Sequence, residues 1–281
     1  MRQTQGAMLC PNCRKLISVS AERCPYCGAR RPGLWGYGPA LSRVIRSLDP
    51  VSLIPIACVG LYVLSLVLNV RSILQFSGGP FGLLSPSTAV LRLLGATEPI
   101  DLLVGHPWTV LTAIYLHGGL LHILFNVLWI RSLGPDVQRA FGSARFFVIW
   151  SVAGAAGFLA SDGLPILGLG SPHPTIGASG SIFGLLAALI VYGRTVGASM
   201  MTRQLWTWAI VMALMGFIFP GVDNVAHVGG FAGGYLAASL YRTRLGRPEG
   251  RASILLALGF LALTLLGFVS SFGLAILHLQ G

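Results

Sequence analysis

The run Asn224–Tyr241, NVAHVGGFAGGYLAASLY, carries no Asp, Glu, Lys or Arg. At about 18 residues it is long enough to cross a bilayer as a helix. Gly230 and Gly234 lie four apart, a small-xxx-small face that lets a helix approach a neighbour closely. Its single ionisable side chain is His227, and such a group inside an apolar run asks for a chemical explanation. Six comparable runs occur at about 51–70, 110–131, 144–161, 178–193, 205–219 and 252–276. The composition agrees, with 54% hydrophobic and only 10% charged residues in 281, against about 25% charged in soluble domains. The expected fold is an all-α polytopic membrane protein with seven segments.

The charges are placed topologically. The net charge is +11, and 17 of the 19 Lys and Arg fall in the N-terminal tail and in the connections after the second, fourth and sixth segments. Only Arg71 and Arg92 lie on the other side. This alternation is the positive-inside pattern, which predicts a multi-pass protein of the cytoplasmic (plasma) membrane with its N-terminus cytoplasmic and its C-terminus outside. A nucleic-acid surface would not alternate loop by loop, so no nucleic-acid partner is expected. Residues 1–33 show no signal-peptide pattern, and the first apolar run, from Val51, reads as an uncleaved signal-anchor.

Residues 1–33 form a separate module. Cys10-Pro-Asn-Cys13 is followed ten residues later by Cys24-Pro-Tyr-Cys27-Gly28. Two CxxC turns at this spacing offer four thiolates to one ion, the zinc-ribbon pattern. Disulfides are one alternative, but thiols in a cytoplasmic tail stay reduced. A redox CxxC is the other, against which stand the duplicated motif and the absence of a βαβ pattern; both arguments favour zinc. Cys58, inside the first run, reads as a small buried hydrophobe. Residues 34–50 read as a linker, 51–241 as a six-helix core, and 242–281 as a basic loop with a seventh span. The long connection over about 71–109 contains Phe76, Phe81, Leu83, Leu84, Leu91 and Trp108. It is expected to be partly helical at the outer interface, with Trp108 at headgroup level. The Gly- and Pro-rich stretch from Leu164 to Ile176 is expected to be buried or to line a cavity.

Polar groups inside the segments are few. His117, His122 and Asn126 lie in the second, and Gly177-Ala178-Ser179-Gly180-Ser181-Ile182-Phe183-Gly184 opens the fourth. The predicted topology sends the second, fourth and sixth segments inward from the same face, so His122, Asn126, Ser179 and His227 share one depth in the outer half. A serine hydroxyl becomes a competent nucleophile when a base takes its proton, and His227 is the histidine of the sixth segment. Ser179 at a helix start sits among orphan N–H groups and the positive dipole end, a place to hold an oxyanion. His122 and Asn126 are four apart on one face and supply donors. His117 and His122, five apart, would lie about 140° apart on one continuous helix, against shared metal ligation. Asp223 is read as the N-cap of the sixth segment rather than as a triad acid.

In this order and on alternate segments, His-x-x-x-Asn, Gly-x-Ser-Gly and Ala-His-x-x-Gly-x-x-x-Gly resemble the rhomboid proteases, over about residues 50–241. The resemblance implies a rhomboid-like six-helix core with an extra C-terminal span, and an intramembrane serine endopeptidase that cleaves single-pass transmembrane substrates within the lipid bilayer. It implies Ser179 as nucleophile and His227 as base of a dyad, with no catalytic cofactor. His122, Asn126 and the Ser179 N–H would form the oxyanion hole, and His117 would be a buried structural histidine. Gly177, Gly180, Phe183, Gly230 and Gly234 are supporting positions. Three departures stand out: Phe183 where some members have Tyr, Pro107-Trp108-Thr109 where Trp-Arg is frequent, and Gln138 where Glu is common. The rival reading is an inactive relative that binds client transmembrane helices, but such relatives lack the Ser or the His. A transporter would need polar groups through both halves of the bilayer. For the ribbon, gripping a cytoplasmic protein partner, regulating access and tethering all stay open.

Overall fold

The computed structural model describes residues 5–10, 13, 15–33, 37, 49–69, 83–219 and 221–280, with side chains as far as Leu274. Most of the expected linker 34–50, and residues 70–82 with Phe76 and Phe81, lie outside the described residues. The chain divides into two compact units, Met1–Asp49 and Pro50–Gly281.

In the first unit, β1 (Ala7–Leu9) pairs antiparallel with β2 (Leu16–Ser18), setting Met8 opposite Ile17. The Cys10 N–H reaches the Lys15 carbonyl at 2.9 Å. The second CxxC turn closes where Gly28, at φ +72°, donates its N–H to the Cys24 carbonyl at 2.9 Å. The buried cluster consists of Cys10, Ile17 and Cys24. So small an apolar core cannot hold a module of this length without a further crosslink.

The second unit is helical. Its elements are α1 (Pro50–Leu68), α2 (Thr88–Leu93), α3 (Pro99–Leu103), α4 (Thr109–Thr112), α5 (Leu120–Phe141), α6 (Ser143–Ile166), α7 (Ser179–Val196), α8 (Ser199–Ile218), α9 (Asn224–Tyr241) and α10 (Arg251–Gln280). Six of the seven expected segments appear as single helices over their described residues, and the second is broken. Among the described residues, α1, α6, α7 and α10 are long and apolar enough to cross a membrane, and a fifth span is formed if α4 and α5 count as one broken helix. α8 and α9 fall short on apolarity, for identifiable reasons. α8 carries Arg203 and Gln204 near its start. α9 keeps His227 and its glycines inward, and turns Val225, Val228, Leu236 and Leu240 outward as one apolar stripe. Exposed rows on α8 (Ile210, Leu214, Phe217) and α10 (Leu255, Leu258, Leu265) form the same kind of surface, which suits lipid.

Three expectations need correction. The second segment is not one helix over 110–131: α4, with its 3₁₀ extension Ala113–Tyr115, meets α5 at 93°. The chain turns at Leu116–Gly119, where Gly118 and Gly119 make a sharp change of direction cheap. α5 then runs on to Phe141, and Gly142 alone separates it from α6, so no loop follows the second segment. The stretch 167–174 is exposed rather than buried, and the chain returns to the interior only at Thr175.

α9 lies between α6 and α7, and glycine lines both contacts. A Cβ on Gly230 would run into the Gly180 carbonyl, and one on Gly234 into the Gly184 backbone. On the side toward α6, a Cβ on Gly229 would lie 2.7 Å from the Ala160 Cβ and 2.8 Å from the Ala156 carbonyl oxygen. The spacing pattern had marked only the first of these faces. Near the opposite end, Arg145, 2% exposed, donates to the carbonyls of Phe141 (3.2 Å), Arg244 (3.0 Å), Arg247 (3.2 Å) and Pro248 (2.9 Å). Glu249 accepts the Arg145 backbone N–H at 2.9 Å, capping α6. The α9–α10 connection is thereby fastened to the start of α6.

Candidate active site

Ser179 is the first residue of α7, and His227 lies in the first turn of α9. The two glycine-to-glycine contacts of α9 on α7 bring their side chains together, with His227 Nε2 2.9 Å from Ser179 Oγ. The imidazole is buried and stacks on Phe183, ring centroids 4.3 Å apart and planes 19° from parallel. The phenyl ring at 183 therefore holds the histidine plane without a hydroxyl. His227 Nδ1 has no partner among the described residues. Asp223 faces elsewhere: it caps α9 by accepting the Ala226 N–H at 2.9 Å, as its sequence position suggested, and it bonds Ser161. Where Nε2 accepts the Ser179 hydroxyl, Nδ1 carries the hydrogen, and among the described residues no carboxylate bonds it. The neighbouring Ser181 is committed to a structural bond, its Oγ donating to the Trp150 carbonyl at 2.8 Å.

α7 begins without a side-chain cap. The Ser179 N–H is therefore an orphan donor at the positive end of an 18-residue helix. His122 approaches from the first turn of α5. Its Nδ1 accepts the Gly118 N–H at 3.3 Å, which leaves the proton on Nε2. That Nε2 faces Gly177: a Cβ there would stand 2.7 Å away. Gly177 has φ +123°, and its own N–H is held by the Ala113 carbonyl at 2.9 Å. Only a residue without a side chain keeps the space beside His122 Nε2 open. Asn126 is buried and donates one amide hydrogen to the His122 carbonyl at 2.7 Å. His117 lies before α5 rather than on it, so the angular argument separating it from His122 does not apply. The two rings meet edge to face with centroids 5.1 Å apart, and His117 Nδ1 sits 3.3 Å from the Tyr115 carbonyl oxygen.

Some contributors lie outside the three motifs. Asp162, 1% exposed, falls one residue past the expected end of the third segment and before the stretch that begins at Leu164, and in the structure it lies inside α6. A carboxyl at the end of an apolar run was signal enough to single it out. Trp108 is half-buried, its Nε1 donating to Ser271 of α10 at 3.2 Å. The loop that lacks Trp-Arg is thus anchored by the C-terminal helix.

In the N-terminal unit the four sulfurs of Cys10, Cys13, Cys24 and Cys27 all lie within 4.8 Å of one another. The pairs Cys10–Cys27 and Cys13–Cys24 are 3.7 and 3.6 Å apart. Four sulfurs each about 2.3 Å from a central ion would stand about 3.8 Å from one another. The cluster fits a tetrahedral metal ion, and all four thiols are free of disulfide bonds.

The family model described as the rhomboid domain matches residues 104–244, half of the chain. Among similar proteins, Rhomboid protease GluP of Bacillus subtilis (strain 168) is 37% identical over 203 residues, covering 67% of this chain and 37% of that protein. RHOMBOID-like protein 4 of Arabidopsis thaliana is 34% identical over 159 residues, 55% of this chain and 39% of its own. Putative rhomboid protease YdcA of Bacillus subtilis (strain 168) is 30% identical over 139 residues, 48% of this chain and 68% of its own. This chain therefore spans less than two fifths of the length of the first two. Since the matched domain takes in His122, Asn126, Ser179 and His227 together, and the helices around them are built to lie in lipid, the chain is a multi-pass membrane protein and belongs to the rhomboid family.

Proposed function

We propose that this protein is an intramembrane serine endopeptidase that cleaves transmembrane segments with a Ser179–His227 dyad. The observation that carries the reading is the 2.9 Å contact between Ser179 Oγ and His227 Nε2, buried among helices with lipid-facing surfaces. In the reaction, Ser179 Oγ attacks the scissile carbonyl carbon while its proton passes to His227 Nε2. The carbonyl oxygen becomes an oxyanion, received by the Ser179 N–H, by His122 Nε2–H and by the second amide hydrogen of Asn126. His227 gives its proton to the leaving amine, leaving an acyl-enzyme. Water then attacks the ester with His227 again as base, releasing the new carboxyl terminus and restoring Ser179.

A site among transmembrane helices receives backbone only from a helix that has opened. The substrate class we assign is single-pass membrane proteins with small or helix-breaking residues near the outer end of the span. The 17-to-2 charge asymmetry supports a cytoplasmic N-terminus, an outer C-terminus and a site reached from outside. We assign the four-cysteine cluster to one Zn²⁺. A full set of four thiolates leaves no position for water, so its contribution is to fold the ribbon. The test is cleavage of a reporter transmembrane segment by purified protein beside Ser179→Ala. Cleavage by the parent chain alone supports the reading, as does protection when the helix-breaking residues become Leu. Equal product from both proteins would refute it.

A further inference from the structure

Two consecutive residues of α6, Ser161 and Asp162, lie outside the dyad, yet each bonds a segment that delivers one member of it. Asp162 Oδ2 accepts the Thr97 hydroxyl at 2.6 Å. Thr97 is fully buried, and its backbone is paired in both directions with Thr175, at 3.2 and 2.8 Å. Thr175 is where the chain re-enters the interior, two residues before Gly177 and four before Ser179. On the next position of the same helical turn, Ser161 Oγ bonds Asp223 Oδ2. Asp223 receives the Ala226 N–H on its other oxygen at 2.9 Å, and its carbonyl accepts the His227 N–H at 3.2 Å.

We propose that Ser161 and Asp162 are a positioning pair: one turn of α6 acts as the common reference from which both Ser179 and His227 are placed. The inference rests on the proteolytic reading above. Each catalytic residue stands at the first turn of its helix, where the preceding loop fixes it. The preceding segments, 167–178 and the described residues 219 and 221–223, are irregular and would otherwise place the two groups independently of one another. A hydrogen bond of 2.9 Å tolerates a displacement of only a few tenths of an ångström. A shared anchor on one rigid helix makes displacements of the two loops move together, so that their difference, which sets the Ser179–His227 distance, stays small. This also accounts for a carboxyl buried at a helix end where an apolar residue would be cheaper to place.

The experiment measures kcat and KM on the reporter for the parent chain, Thr97→Val, Thr97→Ser, Ser161→Ala, Asp162→Asn and Ser179→Ala, with thermal unfolding of each. Thr97→Val keeps shape and removes the hydroxyl, and is expected to lower kcat about ten- to a hundredfold, the scale of a sub-ångström to ångström misplacement. KM should stay within about twofold, since substrate binding is untouched. Ser161→Ala should act likewise through His227, and the two losses should multiply in the double variant, because the arms are separate. Thr97→Ser, which restores the hydroxyl, should restore kcat. The proposal is overturned by parental kcat in both Thr97→Val and Ser161→Ala, by a loss lying in KM, or by failure of Thr97→Ser to repair it. Should Asp162→Asn not fold, the Thr97 series decides alone. A parent chain no more active than Ser179→Ala overturns the proteolytic reading itself, and the pair then has no dyad to position.

Discussion

Gly177→Ala puts one methyl group at the point on which the oxyanion argument turns. Two effects follow from the structure. The backbone there has φ +123°, which side-chain-bearing residues rarely adopt, and holding alanine in it costs about 1–3 kcal/mol. The new Cβ would also stand 2.7 Å from His122 Nε2, closer than any carbon normally approaches a ring nitrogen, in the space assigned to the developing oxyanion. Loss of one oxyanion donor typically lowers kcat by about 10²–10³, so Gly177→Ala should fall at least that far with little change in KM. Gly168 supplies the control. Its φ is +78°, and a Cβ there meets nothing within 4 Å, so Gly168→Ala carries backbone strain without obstruction. Reporter kinetics and thermal unfolding in detergent, run on both variants, separate strain from obstruction. Parental kcat in Gly177→Ala, or an equal loss in Gly168→Ala, would refute the reasoning.

Asn126→Ala should slow cleavage by about 10²–10³ without abolishing it, read as single-turnover rates, since two other donors remain. Phe183→Leu removes the ring stacked on His227 and should lower kcat about three- to tenfold, the worth of one aromatic pair, with Phe183→Tyr near parental. Arg145→Met leaves four carbonyls without their donor and should destabilise the fold by about 2–4 kcal/mol, measured by denaturant titration, with no specific loss of catalytic rate in the folded fraction. Chelation should remove one zinc per chain and unfold the ribbon, while cleavage of a detergent-solubilised reporter continues. Activity that leaves and returns with the metal would show that ribbon and site are coupled.

The parts of the fold legible in the sequence were those written in local pattern. Apolar runs gave the helices, Gly230 and Gly234 gave one face of α9, and Asp223 gave its cap. The CxxC pairs likewise foretold the four-sulfur cluster. What stayed hidden depends on contacts distant along the chain. Nothing near Gly229 and Gly233 says that α6 lies against them. The break before α5 is encoded by Gly118 and Gly119, but an apolar run continues across it, and hydropathy alone reads straight through. That misreading placed His117 on a helix it does not occupy. Asp162 lies beyond the expected end of the third segment at 161, which in the structure runs on to Ile166, and its partner Thr97 is 65 residues away along the chain. Of the candidate site, the identities of Ser179, His227, His122 and Asn126 came from the motifs. Their juxtaposition came from glycine packing that no single segment specifies.

The most direct measurement of the central claim is covalent trapping. A serine-directed fluorophosphonate should add once per chain, and intact-mass and peptide analysis should place the adduct on Ser179, with Ser181 unmodified because its hydroxyl is bonded to the Trp150 carbonyl. Labelling should disappear in Ser179→Ala and in His227→Ala, and persist in Ser181→Ala. Labelling of His227→Ala at the parental rate, or an adduct on another serine, would contradict the dyad.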